Sequence, residues 1–457
     1  MKMPQNTRRD FIKTAAFLAA TPLFPPLFAQ SAGTAAAKPP SPAQQLGLTP
    51  RWRNYMASLK GKGLLGILPV LAAPEGDISH LGFPVATQLS DGRAVVVFHR
   101  AEGGHILAGR LTERPMPSGR YAITSDDLLA WHPADPFTAR NRLGPPDGMH
   151  CVGAALKADG KERVVALATG VPKQVYVSDD RGETWRAVDG ALAGKLDGAA
   201  HCGPRLIQHP EFGLVAALGQ QKNPSARRNW LVRSLDAGET WEQRVWVNTA
   251  HARSVEPAVA TWGDGHMVMI SREYVQDFAL NEEGYYCHTQ HVYRHTKGAP
   301  FSEVSFTTAR TNIAGNPAFG FDCHDTADVS YNPVTKRIEC LHSHRRGGGE
   351  GRTGKTDDKN PANRVNTLNL WSISPDELLA GSSTWRFECT LVERQGYSRN
   401  SERDGMHPGG TIIDLKRKQQ HIFIYAGWRR KPCSIFRLSR TLDTPALADA
   451  WRKARLA

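Results

Sequence analysis

Five histidines and one glutamate stand at matching places along this 457-residue chain. His80, His150, His201, His324 and His407 each open an apolar, alternating stretch, and Glu256 opens a sixth. Four of the histidines follow an acidic tag: Asp147-Gly148-Met149-His150, Asp197-Gly198-Ala199-Ala200-His201, Asp322-Cys323-His324 and Asp404-Gly405-Met406-His407. A lone histidine says little about chemistry, but a set in register does. Imidazole titrates near neutral pH and is the commonest metal ligand. A ring of imidazoles around one carboxylate can therefore move protons at a reacting substrate or hold a divalent metal ion. Glu256, Arg272 and Tyr274 fall within one short segment, so an acid, a cation and a phenol are available beside the histidines.

These residues need elements that bring them to one mouth. The stretches that follow them read "HLGFPVATQLSDGRAVVVFHR" from His80, "HCVGAALKADGKERVVALATG" from His150 and "HCGPRLIQHPEFGLVAALGQ" from His201. The later ones are "EPAVATWGDGHMVMISRE" from Glu256, "HDTADVSYNPVTKRIECLHSH" from His324 and "HPGGTIIDLKRKQQHIFIYAG" from His407. Each is a strand, a turn and a second strand, repeating about every 60 residues, the signature of radial blades. The sequence predicts an all-β chain with a six-bladed β-propeller over 50–446 and a helical tail over 447–457. The first strand of each blade lines the central channel in this architecture, which directs the six unit-opening residues into one funnel.

Two segments share the pattern S-x-D-x-G-x-T-W: Ser178 to Trp185 and Ser234 to Trp241. Asp and Gly make a tight turn, Ser and Thr hydroxyls bond it, and Trp plugs the hairpin base. Eroded copies run from Ser125-Asp126-Asp127 to Trp131 and from Ser374-Pro375-Asp376 to Trp385. This pattern is the Asp-box, and with the six repeats the chain resembles the sialidase superfamily of Asp-box (BNR) β-propellers. The resemblance implies a carboxylate-binding arginine clamp, a general acid, and a tyrosine nucleophile polarised by a glutamate. Glu256-Pro257, the turn Gly263–Gly265 and Arg272 match the family's Glu-Pro…Arg segment. That match makes Glu256 the polarising carboxylate and Arg272 a clamp arginine. Arg403 and Arg100 are similar to further clamp arginines, and His80 opens the first blade beside them. Where the family's acid Asp stands, this chain offers Glu102 and His105, with His105 nearer.

The departures matter as much. Gly82-Phe83-Pro84 replaces the family's Arg-Ile-Pro, and Trp428-Arg429-Arg430-Lys431-Pro432 occupies the place of the tyrosine nucleophile, with Tyr425 on the preceding strand. What remains is a cationic, titratable funnel: His105, His150, His201, His324, His407, Glu256 and Tyr274 for chemistry, and Arg272, Arg403, Arg100 and His80 for binding. Three functions suit it. The first is a glycoside hydrolase acting on an acidic oligo- or polysaccharide. The second is a lyase of uronate-containing polysaccharide, with Tyr274 or the histidines removing the C5 proton. The third is a glycan-binding propeller without catalysis. These residues fix no cofactor, and a divalent metal held by the histidines is an alternative to proton transfer.

Composition narrows the partners. The formal net charge is +13, which attracts anions. Asn6-Thr7-Arg8-Arg9-Asp10-Phe11 resembles a bacterial twin-arginine export signal over 1–29, followed by an Ala/Pro-rich linker over 30–49. Export implies a periplasmic or secreted protein and argues against nucleic acid as a partner. No long apolar run after residue 40 suggests a membrane span. The seven cysteines include no CxxC pair, so they read as buried thiols with at most a bridge or two. The Gly-rich basic run Ser343–Asn360 lacks the strand-to-helix setting of a phosphate loop and reads as a surface loop able to contact glycan.

Overall fold

The computed structural model describes residues 41–59, 61–73, 79–101, 118–145, 148–170, 173–191, 199–220, 229–247, 254–275, 285–313, 327–344, 365–395, 403–428 and 432–456. The export-signal segment 1–29, most of the linker, Glu102, His105, His324, Lys431 and nearly all of the Gly-rich run lie outside these residues. Strands dominate, with a few short helices. No described helix is long and apolar enough to cross a membrane.

Two helices come first, α1 (Pro42–Leu46) and α2 (Pro50–Leu59), then strand β1 (Leu64–Leu71). Antiparallel meanders follow. The first holds β2 (His80–Gln88), β3 (Ala94–Ala101) and β4 (Gly119–Ser125), and the second β5 (His150–Leu156), β6 (Glu162–Ala168), β7 (Gln174–Ser178) and β8 (Arg186–Val188). In the third, β9 (Ala199–Cys202) and β10 (Ile207–His209) both pair with β11 (Gly213–Gln220), beside β12 (Asn229–Ser234) and β13 (Glu242–Val247). The fourth is β14 (Ser254–Trp262), β15 (His266–Val275), β16 (Tyr285–Tyr293) and β17 (Thr307–Arg310). The next is β18 (Ala327–Asn332), β19 (Arg337–His344), β20 (Val365–Ile373) and β21 (Arg386–Gln395), with helix α3 (Pro375–Leu379) between its last two strands. The last holds β22 (Arg403–Gly405) and β23 (Thr411–Asp414), both against β24 (Gln419–Trp428), and then β25 (Cys433–Thr441); α4 (Thr444–Leu456) ends the chain.

The meanders stand in a ring. The inner strands touch in sequence: β2 with β5, β5 with β10, β10 with β14, β14 with β18, β18 with β23, and β23 with β2. The ring is closed by chain ends that sequence patterning did not connect. Strand β1 lies antiparallel to β25, with Leu64 opposite Arg440 and Ile67 opposite Leu438, so the last meander takes its outer strand from the N-terminal side. Apolar clusters fill the spaces between neighbouring meanders, and the largest also takes in residues of α1, α2 and α4. Val95, Val97, Val152 and Val164 join the first to the second, and Leu167, Val175, Leu218 and Trp230 join the second to the third. Period-2 alternation supplies both faces of each sheet with such residues, so every meander is buried between two others.

The two Asp-box segments form the same Ser-Asp-Gly turn and differ at the tryptophan, since Trp185 Nε1 donates to the Gly182 carbonyl at 3.2 Å and Trp241 Nε1 has no partner among the described residues. Ser178 Oγ bonds Asp180 Oδ1 and accepts from Gly182 N, each at 2.8 Å, and Ser234, Asp236 and Gly238 repeat both contacts at 2.8 Å. The left-handed backbone at Arg181 and Gly182 recurs at Ala237 and Gly238. Each turn seats on the preceding meander: a Cβ on Gly238 would fall 2.8 Å from Val165 Cγ1. A guanidinium braces each seat. Arg163 of β6 donates to Asp179 at 2.8 Å and to Glu239 of the following meander's turn, and Arg93 of the first meander bridges Asp126 and Glu183 in the same way. The eroded copy at Ser374 is different. It is a helix start, where Ser374 Oγ accepts from Glu377 N at 3.2 Å and the Glu377 carboxylate accepts from Ser374 N at 2.8 Å, a capping box that opens α3. Ser-Pro-Asp-Glu satisfies helix N-terminal donors better than a hairpin turn, which corrects the expectation of a fourth box. The helical tail begins at Thr444 and packs Trp451 against Phe387 of β21.

The brace is testable. Arg163→Met removes the cation that bridges Asp179 and Glu239 across the seam, leaving Asp179 with Lys157 and Glu239 with Arg186. Urea denaturation should show a loss of roughly 1.5–3 kcal/mol, the scale of hydrogen bonds to charged groups. Glu239→Gln should lose less, because Asp179 remains. An unchanged midpoint in Arg163→Met would mean that the seam is held by apolar packing alone.

Candidate active site

Glu256 is positioned by a break in its own strand. In β14, Val255 pairs with Arg272 and Pro257 with Ser271, so Glu256 is an extra residue bulged out of the ladder. Its φ of 53° is left-handed, a conformation that a non-glycine residue adopts only where its surroundings hold it. A bulge re-aims the side chain it carries. Room for it comes from Gly219 of β11, where a Cβ would stand 3.3 Å from both Glu256 N and Pro257 Cδ. The hairpin register sets Arg272 beside the bulge, and Arg272 Nη1 donates to Glu256 Oε2 at 2.8 Å. His201, from β9, brings Nδ1 to 3.8 Å from Glu256 Oε1.

These neighbours fix the charge of Glu256. Burial alone would raise its pKa, but Arg272, His201 and His407 outweigh burial and hold it at about 2. Glu256 is thus ionised at neutral pH, with its side chain only 15% exposed. A carboxylate in this state can stabilise developing positive charge or accept a proton, and an adjacent imidazole can supply one.

A second polar centre joins three inner strands, and sequence reasoning did not find it. Arg205, in the link between β9 and β10, donates from Nη2 to Asp328 of β18 at 2.6 and 2.5 Å and to Thr411 Oγ1 of β23 at 2.6 Å. Thr411 also donates to Asp328 at 3.1 Å. Burial pushes the Asp328 pKa above the usual carboxylate range, and Arg205, Thr411 and His407 offset only part of that. His407 is near enough to both Glu256 and Asp328 to act on each electrostatically. The only trace of this centre in the sequence is that Arg205 stands four residues after His201.

The other unit-opening histidines gather on an aromatic cluster around Phe83. Phe83 occupies in β2 the place that Glu256 occupies in β14: it is bulged, has φ 48°, and precedes a proline. Its ring lies 4.8 Å from His99, 5.0 Å from Tyr425 and 5.4 Å from His407. His80 sits 5.4 Å from Tyr425, and His99 6.1 Å from His150. Burial, with Arg120 nearby, holds the His150 pKa at about 3, so its imidazole is neutral; its Nε2 lies 3.2 Å from the Val97 carbonyl.

Of the residues expected at the site, Glu256, Arg272, His201 and His407 come together, and His80 and His150 join them through Phe83 and His99. Arg100 does not: its guanidinium is buried 5.3 Å over the Phe137 ring, on the opposite side of β3 from His99. Tyr274 is opposite Tyr286 in the β15–β16 ladder and Arg403 opposite Trp428 in the last meander; both are placed by backbone alone. His105 and His324 lie outside the described residues. Among the described residues, no three His, Cys, Asp or Glu side chains form a metal-binding group.

The Glu256–Arg272 pair makes a prediction about pH. The folded pKa of Glu256, about 2, is below the ordinary 4.5, so its contribution to stability is complete above pH 4.5 and is lost as pH falls toward 2. That contribution is on the order of 3 kcal/mol. Arg272→Met should lower stability at pH 7 by up to this amount, and the gap from the native protein should close as pH falls toward 3. A gap that stays constant from pH 7 to 3 would mean that the pair does not carry the shift.

No family model matches this sequence, and no curated protein matches it. Solved structures do match. A protein of unknown function from Dyadobacter fermentans superposes at TM-score 0.51, with 15% identity over 82% of this chain and 100% of its own. An α-L-arabinanase from Penicillium chrysogenum, complexed with arabinobiose, gives TM-score 0.51 and 11% identity over 83% and 98% of the two chains. The NanB sialidase from Streptococcus pneumoniae gives TM-score 0.50 and 9% identity over 82% and 71%. At such identities the likeness is one of fold, and this chain has the fold of the sialidase-like, glycoside hydrolase β-propellers.

Proposed function

We propose that this chain is an exported, six-bladed propeller glycoside hydrolase that cleaves an acidic glycan at the Glu256–Arg272–His201–His407 cluster. The observation that carries the reading is the state of Glu256: a carboxylate on a strained bulge, kept ionised by Arg272 and flanked by imidazoles from other inner strands. Glycosidic cleavage builds positive charge on the sugar and needs a proton on the leaving oxygen. Glu256 supplies the negative charge, His201 or His407 gives a proton to the leaving oxygen as the glycosidic bond breaks, and water adds to the anomeric carbon and returns a proton to that imidazole. Arg272 holds Glu256 in place and shares its guanidinium with a substrate carboxylate. The acidic substrate rests on the net charge of +13, and the periplasmic or secreted location on Arg8-Arg9 and its surroundings.

A lyase is the second reading. An imidazole beside an ionised carboxylate, His201 at 3.8 Å from Glu256, is also an arrangement that removes a proton from carbon. One experiment separates the readings. The full chain is incubated with a panel of acidic and neutral glycans, and products are followed by new reducing ends and by ultraviolet absorbance. Hydrolysis of an acidic glycan yields reducing ends without absorbance. An absorbing, unsaturated product would replace hydrolase by lyase, and binding without new ends would remove catalysis altogether. With the cleaved substrate, Glu256→Gln should lower kcat about a hundred-fold or more and His201→Ala about ten-fold or more, each with little change in KM. Chelation that abolishes activity, with recovery on adding a divalent metal, would give the histidines a metal-binding role in place of proton transfer.

A further inference from the structure

A cavity of about 620 Å³ lies between α2, β1 and the outer face of the last meander, built from none of the residues around Glu256. Met56, Leu64, Ile67 and Leu68 make one apolar wall, and Leu128 and Leu129, from the eroded turn after β4, make another. The volume falls within the range of small-ligand sites. Its rim exposes apolar surface: Leu68 is 47% and Leu129 67% exposed.

The polar lining is what singles this cavity out. Arg437 of β25 is only 6% exposed. Its Nη1 donates to the Leu128 carbonyl, its Nε has no hydrogen-bond partner, and among the described residues it forms no salt bridge. His421 of β24 lines the same space; its Nδ1 is engaged with Ser439 Oγ at 2.8 Å, and its buried Nε2 has no partner. The carboxylate in the lining, Asp127, is committed to its own turn, where Oδ1 accepts from Leu129 N at 2.7 Å and Ala130 N at 2.9 Å. Arg417, at the edge, is paired with Asp414 at 2.7 Å. Asp127 acts on Arg437 only through space and offsets only part of the cost of burying it; an anion that bonds the guanidinium directly removes more.

We propose that this cavity binds a small amphipathic carboxylate, with its head on Arg437 and His421 and its aliphatic chain along Met56, Leu64 and Leu68. An inorganic anion would leave the apolar walls wet, and a neutral lipid would leave Arg437 without a partner.

Isothermal titration of the full chain with decanoate, decanol and acetate tests this. Decanoate should bind one saturable site, decanol at least ten-fold more weakly, and acetate without measurable heat. Arg437→Met should weaken decanoate at least ten-fold and erase its advantage over decanol. Leu68→Gln, on the exposed rim, should weaken both decanoate and decanol several-fold. Equal affinities of the native chain for decanoate and decanol, or decanoate binding unchanged in Arg437→Met, would overturn the proposal. If Arg437→Met does not fold by circular dichroism, the native decanoate-to-decanol ratio and Leu68→Gln decide. A ratio near one, or unchanged binding in Leu68→Gln, sinks the idea.

Discussion

The ion pair of Arg205 with Asp328, capped by Thr411, fixes the centre of this molecule. It joins the inner strands of the third, fifth and last meanders, so it reaches across the ring as well as around it. Desolvating both charges cancels much of their attraction, and such pairs add little net stability. What the pair supplies is position. Strand β14, which carries Glu256, runs between β10 and β18, and the pair ties the link that leads into β10 to β18. His407 precedes β23, the third strand in the same knot. The distances that matter for chemistry are thus set by a contact beneath them, made of residues that need not touch a substrate.

Around that centre, charge is neutralised locally. Glu256 has Arg272 and Asp328 has Arg205, while His150 is kept neutral by burial. Each of these two carboxylates is therefore paired with its own arginine, although the chain as a whole is strongly basic. The excess of positive charge can draw an acidic polymer toward the protein, while the reacting centre meets it with paired groups. Attraction at a distance and discrimination at contact rest on different residues.

Much of the fold was legible in the sequence, and the reasons are local. His80 and His150 begin β2 and β5, as the repeat required, because alternation and turn residues act within a few positions. The two Asp-box turns form as read, since each is bonded internally. Glu256 and Arg272 were found together because a single hairpin connects them. Long-range features were not legible. Nothing near Leu64–Leu71 announces a partner at Cys433–Thr441, and Arg205 and Asp328 belong to different meanders. Arg100 was lost to parity: one residue along a strand changes the face, so His99 turns toward His150 and Arg100 toward Phe137. Ser374 misled because serine followed by acidic residues serves a hairpin turn and a helix start equally well.

The union of β1 with β25 has a consequence for how the chain is made. Leu64 finds its place opposite Arg440, so β1 must wait for a strand synthesised after all the intervening meanders. Loop-closure entropy makes so distant a pairing slow. Until it forms, the last meander presents an open edge, and β1, with Leu65 and Leu68 along it, is an apolar strand without a sheet. A nascent chain thus carries an adhesive ribbon while all the intervening meanders are made. Its need for a chaperone should end when β25 arrives and the ring closes.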